Sequence, residues 1–114
     1  MAVIYHNPRC GTSRTVLQTL QDLGHDVEVI EYLKQPLDRQ ALADLIRSSG
    51  LSVREAIRSK EALYTELGLD DAGLSDEELL KAIEANPILM NRPFVVTEKG
   101  ARLCRPADVV HEIL

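Results

Sequence analysis

A single cysteine in a cationic setting is the clearest candidate for chemistry in this chain. Cys10 lies between Arg9 and Arg14, and His6 precedes it by four residues. The thiolate is the nucleophilic form of cysteine, and neighbouring cations or a helix N-terminus lower a thiol pKa from about 8.5 to roughly 3.5–7.5. The sequence therefore predicts a reactive thiolate at Cys10 rather than a small buried hydrophobic residue.

The residues that follow Cys10 predict an anion-binding site. An apolar run over residues 2–5 is typical of a strand, and a helical pattern follows it. The first backbone N–H groups of a helix have no partner within the helix. Those of Gly11, Thr12 and Ser13 would therefore face an anion brought to the sulfur. Thr12 or Ser13 also suits the N-cap position.

Spacing argues against three other uses of this cysteine. A dithiol redox motif would need a second cysteine at position 13, where Ser13 stands, so Cys10 reacts as a monothiol or finds a resolving thiol elsewhere. A Cys-x5-Arg phosphatase loop would need an arginine at position 16, where Val16 stands. A zinc site needs about four ligands at short spacings, and the remaining histidines and the other cysteine are scattered, so we expect no metal.

Composition limits the partners. At 114 residues, 45% of them hydrophobic, the chain suits one domain over residues 1–114 with a single core. The net charge of −5 argues against nucleic-acid binding, and no apolar run approaches the ~20 residues of a membrane span. Two cysteines far apart in sequence, without a signal-peptide pattern, predict a cytoplasmic protein with reduced thiols.

Hydrophobic periodicity predicts the order β-α-β, a helical block, then β-β-α. Strands are expected at 2–5, 27–32, 94–97 and 101–104, and helices at 13–23 and 107–113. The helical block includes a short helix from Ser52 through Arg58, and another that opens with a capping box of Ser75 and Glu78. A right-handed crossover would make the first two strands parallel. This order matches an α/β, thioredoxin-like fold: a four-stranded mixed sheet with a helical insertion over about residues 37–86.

Three separated motifs carry a resemblance to a known family. They are residues 6–14 (HNPRCGTSR), 86–93 (NPILMNRP) and 102–106 (RLCRP). With these motifs in this order and spacing, the chain resembles the glutaredoxin-coupled arsenate reductases over essentially its whole length. The resemblance also implies a thioredoxin-like fold, in which the Arg92–Pro93 peptide bond is expected to be cis.

The resemblance assigns roles to individual residues. Cys10 matches the family's nucleophile, and Arg58, Arg92 and Arg105 match its three oxyanion-binding arginines. His6 matches a histidine near the thiolate that influences its ionisation. Cys104 matches a cysteine that turnover does not need.

The implied reaction is the reduction of arsenate to arsenite. The thiolate attacks arsenate, glutathione attacks the resulting arsenic(V) ester as a co-substrate, and a glutaredoxin thiol completes the transfer of two electrons. The expected partners are thus arsenate, glutathione and glutaredoxin, with no tightly bound cofactor. Two alternatives stay open: a related thiol oxidoreductase with another substrate, and an RNA polymerase-binding regulator of the same fold. Ser13 speaks against the regulator, which carries two cysteines in its first motif.

Overall fold

A four-stranded mixed sheet forms the centre of the molecule, described here for residues 1–114 of a computed structural model. The sheet has the order β2-β1-β3-β4. β2 pairs parallel to β1, whereas β3 pairs antiparallel to β1 and β4 antiparallel to β3. The predicted mixed sheet is confirmed, and the fold is thioredoxin-like. The strands are β1 (Ala2–His6), β2 (Val27–Glu31), β3 (Phe94–Thr97) and β4 (Gly100–Leu103).

Helices connect the strands and cover the sheet. α1 joins β1 to β2, and Gly24, at φ 79°, ends its last turn as predicted. Four α-helices and a 3-10 helix lie between β2 and β3, and a second 3-10 helix follows β4. No helix is both long and apolar enough to cross a lipid bilayer. The helices are α1 (Gly11–Asp22), α2 (Arg39–Ser48), α3 (Val53–Ala56), α4 (Ala62–Glu66) and α5 (Asp76–Ala85), with 3-10 helices at Pro87–Leu89 and Ala107–Ile113.

The sheet separates two apolar clusters. Neighbouring residues of a strand point to opposite faces, so Val95 packs with α1 and the C-terminal 3-10 helix, while Phe94 packs with the helices between β2 and β3. Val16 and Leu20 anchor α1 to the first cluster and are fully buried. This packing fixes the N-terminus of α1 at the end of β1, where Cys10 lies.

Side-chain caps fix where the inserted helices begin. Ser75 accepts a hydrogen bond from the Glu78 N–H, and the Glu78 side chain accepts one from Ser75 N, which confirms the predicted capping box of α5. Ser52 and Glu55 form the same arrangement at α3. Each capping box satisfies backbone donors that a helix start leaves unpaired.

Besides the C-terminal segment Ala107–Ile113, which was predicted as an α-helix and is a 3-10 helix, two local predictions are wrong. α3 ends at Ala56 instead of continuing through Arg58, because Ile57 is extended and forms an antiparallel bridge with Met90. Hydrogen bonds from Arg58 N to Leu89 O and from Asn91 N to Ala56 O, both 2.8 Å, hold the two segments together.

The second wrong prediction concerns the start of α1. Cys10 is its N-cap, with φ −90° and ψ 121°, in place of Thr12 or Ser13. The helix therefore begins at Gly11, two residues earlier than residue 13. Ser13 is fully buried one turn inside the helix. As a result, the thiol itself faces the open helix N-terminus.

Candidate active site

The Cys10 sulfur lies where donors from three parts of the chain converge. Burial raises the pKa of the Cys10 thiol, but hydrogen bonds from the Ser13 N–H and from the Arg105 and Arg92 side chains outweigh it, so the net pKa is lowered. The Arg105 Nη1–Cys10 Sγ distance is 3.5 Å. Gly11 and Thr12 open α1, where backbone N–H groups lack partners within the helix. This setting favours the thiolate over the thiol.

His6 is linked to this centre through Ser13. A 2.6 Å hydrogen bond joins His6 Nδ1 to Ser13 Oγ, which also accepts from Asn7 N at 3.1 Å. Burial lowers the pKa of His6, the charge of Glu31 raises it and that of Arg14 lowers it, with a net lowering. The His6 imidazole is therefore neutral at pH 7. It holds Ser13, whose backbone N–H donates to the Cys10 sulfur.

Arg92 and Arg105 both donate hydrogen bonds to the Cys10 sulfur. Arg105 Nη1 donates to the Arg92 carbonyl oxygen at 3.0 Å. The Arg92 side chain is buried and donates to Ile88 O at 3.2 Å, and its Nη1 lies 3.8 Å from a carboxylate oxygen of Glu61. Each arginine precedes a cis proline: the Arg92–Pro93 bond confirms the prediction, and the Arg105–Pro106 bond was not foreseen.

Arg58 completes a cluster of three arginines. Burial lowers the pKa of Arg58, the positive charges of Arg92 and Arg105 lower it further, and Cys10 and Glu61 partly offset this. Arg58 reaches the cluster because the bridge between Ile57 and Met90 holds its segment beside the one that carries Arg92.

One buried hydrogen-bond donor of the arginine cluster has no partner in the protein. Arg92 is only 8% exposed, yet its Nε has no hydrogen-bond partner. Buried donors are nearly always paired, and guanidinium groups bind oxyanions through two parallel hydrogen bonds. A tetrahedral oxyanion placed between Cys10 and these arginines would balance the crowded positive charge.

Asn7 organises the loop and was not foreseen as a site residue. Its backbone oxygen accepts from Cys10 N and its Oδ1 from Arg9 N, both at 3.0 Å. Its Nδ2 donates to the Tyr32 hydroxyl at 3.4 Å, and that hydroxyl donates to Met90 O at 3.5 Å. Asparagine before proline favours this type of turn, so the sequence held a signal for Asn7. It held none for Tyr32, which lies 25 residues away.

Comparison with known proteins identifies the family of this chain. A model of the ArsC family matches residues 5–113. The chain belongs to the ArsC family. The arsenate reductase of Rhizobium meliloti (strain 1021) is 54% identical over 111 residues, which are 97% of this chain and 79% of that protein. The arsenate reductase of Escherichia coli (strain K12) is 47% identical over the same shares of both chains.

A solved structure supports the same placement. The arsenate reductase from Vibrio cholerae superposes with a TM-score of 0.95 at 44% identity, covering 99% of this chain and 97% of that one. The family resemblance predicted from the three motifs is thereby confirmed.

The second cysteine of this ArsC-family chain lies in a different environment from the first. Cys104 is fully buried in the cluster beneath α1, and both cysteines are free. Burial, reinforced by the charge of Glu112 and opposed by Arg102, raises the pKa of Cys104 to about 12. It stays a thiol at pH 7 and belongs to the core. No group of three or more histidine, cysteine or acidic side chains is placed to hold a metal ion.

Proposed function

We propose that this protein reduces arsenate to arsenite, with Cys10 as the nucleophile and glutathione and a glutaredoxin as electron donors. The observation that carries the proposal is the Cys10 thiolate setting beside three arginines, one of which has a buried, unpartnered Nε. The relatives from Rhizobium meliloti and Escherichia coli, which bear the name arsenate reductase, supply the substrate.

The first step forms a bond between sulfur and arsenic. The Cys10 thiolate attacks dihydrogen arsenate, and hydroxide leaves, which gives a Cys10–S–As(V) ester. The anion gains charge-assisted hydrogen bonds to Arg58, Arg92 and Arg105. The backbone N–H groups of Gly11 and Thr12 add donors at the N-terminus of α1, and Ser13 N–H keeps the sulfur in place.

The reduction itself uses external thiols. Glutathione thiolate displaces a second hydroxide from arsenic without a change of oxidation state. A glutaredoxin thiolate then attacks the glutathione sulfur, forming a mixed disulfide. The electron pair of the broken S–As bond stays on arsenic, which becomes As(III). Hydroxide finally releases arsenite and regenerates the Cys10 thiolate.

No second protein thiol is needed in this sequence of steps. Ser13 occupies the position of a resolving cysteine, and Cys104 is buried with a raised pKa. A cytoplasmic location is part of the proposal, because thiol donors stay reduced there.

A coupled assay tests the function. Arsenate, glutathione, glutaredoxin and glutathione reductase are combined, and the loss of NADPH is followed, with phosphate and sulfate in parallel. We expect turnover with arsenate and none with phosphate or sulfate. Cys10→Ser should abolish it, because a hydroxyl does not ionise near pH 7, whereas Cys104→Ser should keep most of it.

Two results would contradict the proposal. Absence of turnover with arsenate would show that arsenate is not the substrate. Equal loss in Cys10→Ser and in a Cys104→Ser protein that still unfolds cooperatively would indicate an intramolecular dithiol pathway.

A further inference from the structure

A cavity beside the arginine cluster is larger than an oxyanion requires. Its volume is about 400 Å³, within the range of sites for small organic ligands. Its charged lining residues are Arg54, Arg58, Lys60 and Arg105, opposed by the single carboxylate of Glu55. The cavity therefore suits a ligand with more than one negative charge and more atoms than arsenate.

Three of the four cationic side chains that line this cavity form no ion pair within the protein. None of the ion pairs in the structure includes Arg54, Arg58 or Lys60. Arg54 donates only to neutral acceptors, among them the Tyr64 hydroxyl at 3.1 Å and the Asp71 carbonyl oxygen at 2.9 Å. These bonds fix the guanidinium in the cavity wall and leave its charge available to a ligand.

The cavity and the thiolate share a wall. Arg105 lines the cavity, and its Nη1 also lies 3.5 Å from Cys10 Sγ. Arg58 likewise lines the cavity and belongs to the arginine cluster. A molecule that fills the cavity thus places one of its ends beside whatever is bonded to the Cys10 sulfur.

We propose that this cavity binds the thiol donor, a small peptide thiol with two carboxylates and one ammonium group, of which glutathione is the example. The inference rests on the proposed function. Lys60 and Arg54 bind the carboxylates, because Arg58 and Arg105 are taken by the arsenic oxyanion. Glu55 receives the ammonium group. The ligand's thiolate then displaces hydroxide from the arsenic(V) held on Cys10.

Lys60 offers the sharpest test, because it is exposed and forms no ion pair. Lys60→Glu reverses its charge, and Lys81→Glu on α5, also exposed, is the matched control with the same change in net charge. We expect Lys60→Glu to raise the KM for glutathione about fivefold or more. The KM for arsenate should change much less, and Lys81→Glu should match the wild type.

An uncharged thiol separates binding of the carboxylates from general effects on the site. With 2-mercaptoethanol in place of glutathione, and with arsenite formation as the readout because glutathione reductase does not recycle this donor, Lys60→Glu and the wild type should use the donor equally well. The assignment would be overturned if the glutathione KM rose equally in Lys60→Glu and Lys81→Glu. It would also be overturned if Lys60→Glu lost as much activity with 2-mercaptoethanol as with glutathione.

Direct binding keeps this test independent of turnover. S-methylglutathione lacks a free thiol, so its titration into the wild type, followed by backbone amide NMR, reports binding alone. We expect shifts at Ser59, Lys60 and Tyr64 that Lys60→Glu weakens. Shifts elsewhere, or none, would overturn the proposed cavity even if arsenate is reduced. If arsenate is not reduced, the proposed function fails, and the titration alone decides what the cavity binds.

Discussion

At the residue scale, Cys10 and Cys104 show how surroundings set the chemistry of one side chain. The pKa of Cys10 is lowered by donors from Ser13, Arg105 and Arg92 that outweigh its burial, whereas burial raises that of Cys104 to about 12. Alkylation by iodoacetamide requires the thiolate. Its rate at Cys10 should therefore rise with pH and level off below the ordinary thiol pKa of about 8.5.

The measurement uses anion-free protein, because a bound oxyanion would add negative charge beside the sulfur. Cys104→Ser reports on Cys10 alone, and Cys10→Ser should show almost no labelling while folded. A Cys10 midpoint equal to that of free cysteine would remove the physical basis for the role of nucleophile that we propose for it.

Local motifs predicted the residues that the structure brings together around Cys10 better than they predicted the residues that support them. Cys10 could be singled out because cations and a strand-to-helix junction surround it in sequence. Tyr32 could not, because its hydrogen bonds to Asn7 and Met90 span 25 and 58 residues. Contacts of that kind follow from tertiary packing, which a local pattern does not contain.

At the element scale, strands and capped helices followed the sequence, whereas the segment that carries Arg58 did not. β3 matches its predicted bounds because alternate residues fill the two cores. The extended conformation of Ile57 is fixed instead by its bridge to Met90, 33 positions away (90 − 57). In the sequence, only the family resemblance assigned Arg58 to the same site as Cys10.

The capping boxes of α3 and α5 provide a matched pair of variants. Ser52→Ala and Ser75→Ala each remove an N-cap hydrogen bond of 3.2 Å, and each should lower the free energy of unfolding by about 1 kcal/mol. Because α3 leads directly into Arg58, Ser52→Ala should also raise the KM for arsenate severalfold at saturating glutathione. Ser75→Ala should leave that KM unchanged. Urea unfolding measures the first effect and the coupled assay the second. Equal KM values for arsenate in Ser52→Ala and Ser75→Ala would show that α3 does not position Arg58.

At the scale of the whole molecule, the two faces of the sheet serve different purposes. One face carries α1 and the C-terminal 3-10 helix, and the other carries the inserted helices. The candidate site lies where both meet the sheet: Cys10 comes from α1, and Arg58 from the inserted segment. Arg92 and Arg105 come from the two ends of the β3–β4 hairpin. Folding of the entire chain is thus required to bring Cys10 next to the three arginines.

Cys104 links the stability of this whole fold to pH. Its pKa is about 12 in the folded state and about 8.5 in an unfolded chain. Below pH 8.5 both states keep the proton, so the stability is fully present. Between these pKa values only the unfolded state releases it, so the free energy of unfolding falls by up to about 1.4 kcal/mol per pH unit. Urea unfolding from pH 7.5 to 10 under reducing conditions should show this loss in the wild type and a flatter profile in Cys104→Ala. Other titrating groups are common to both proteins and cancel in the difference, so parallel profiles would mean that Cys104 does not stay protonated in the folded core.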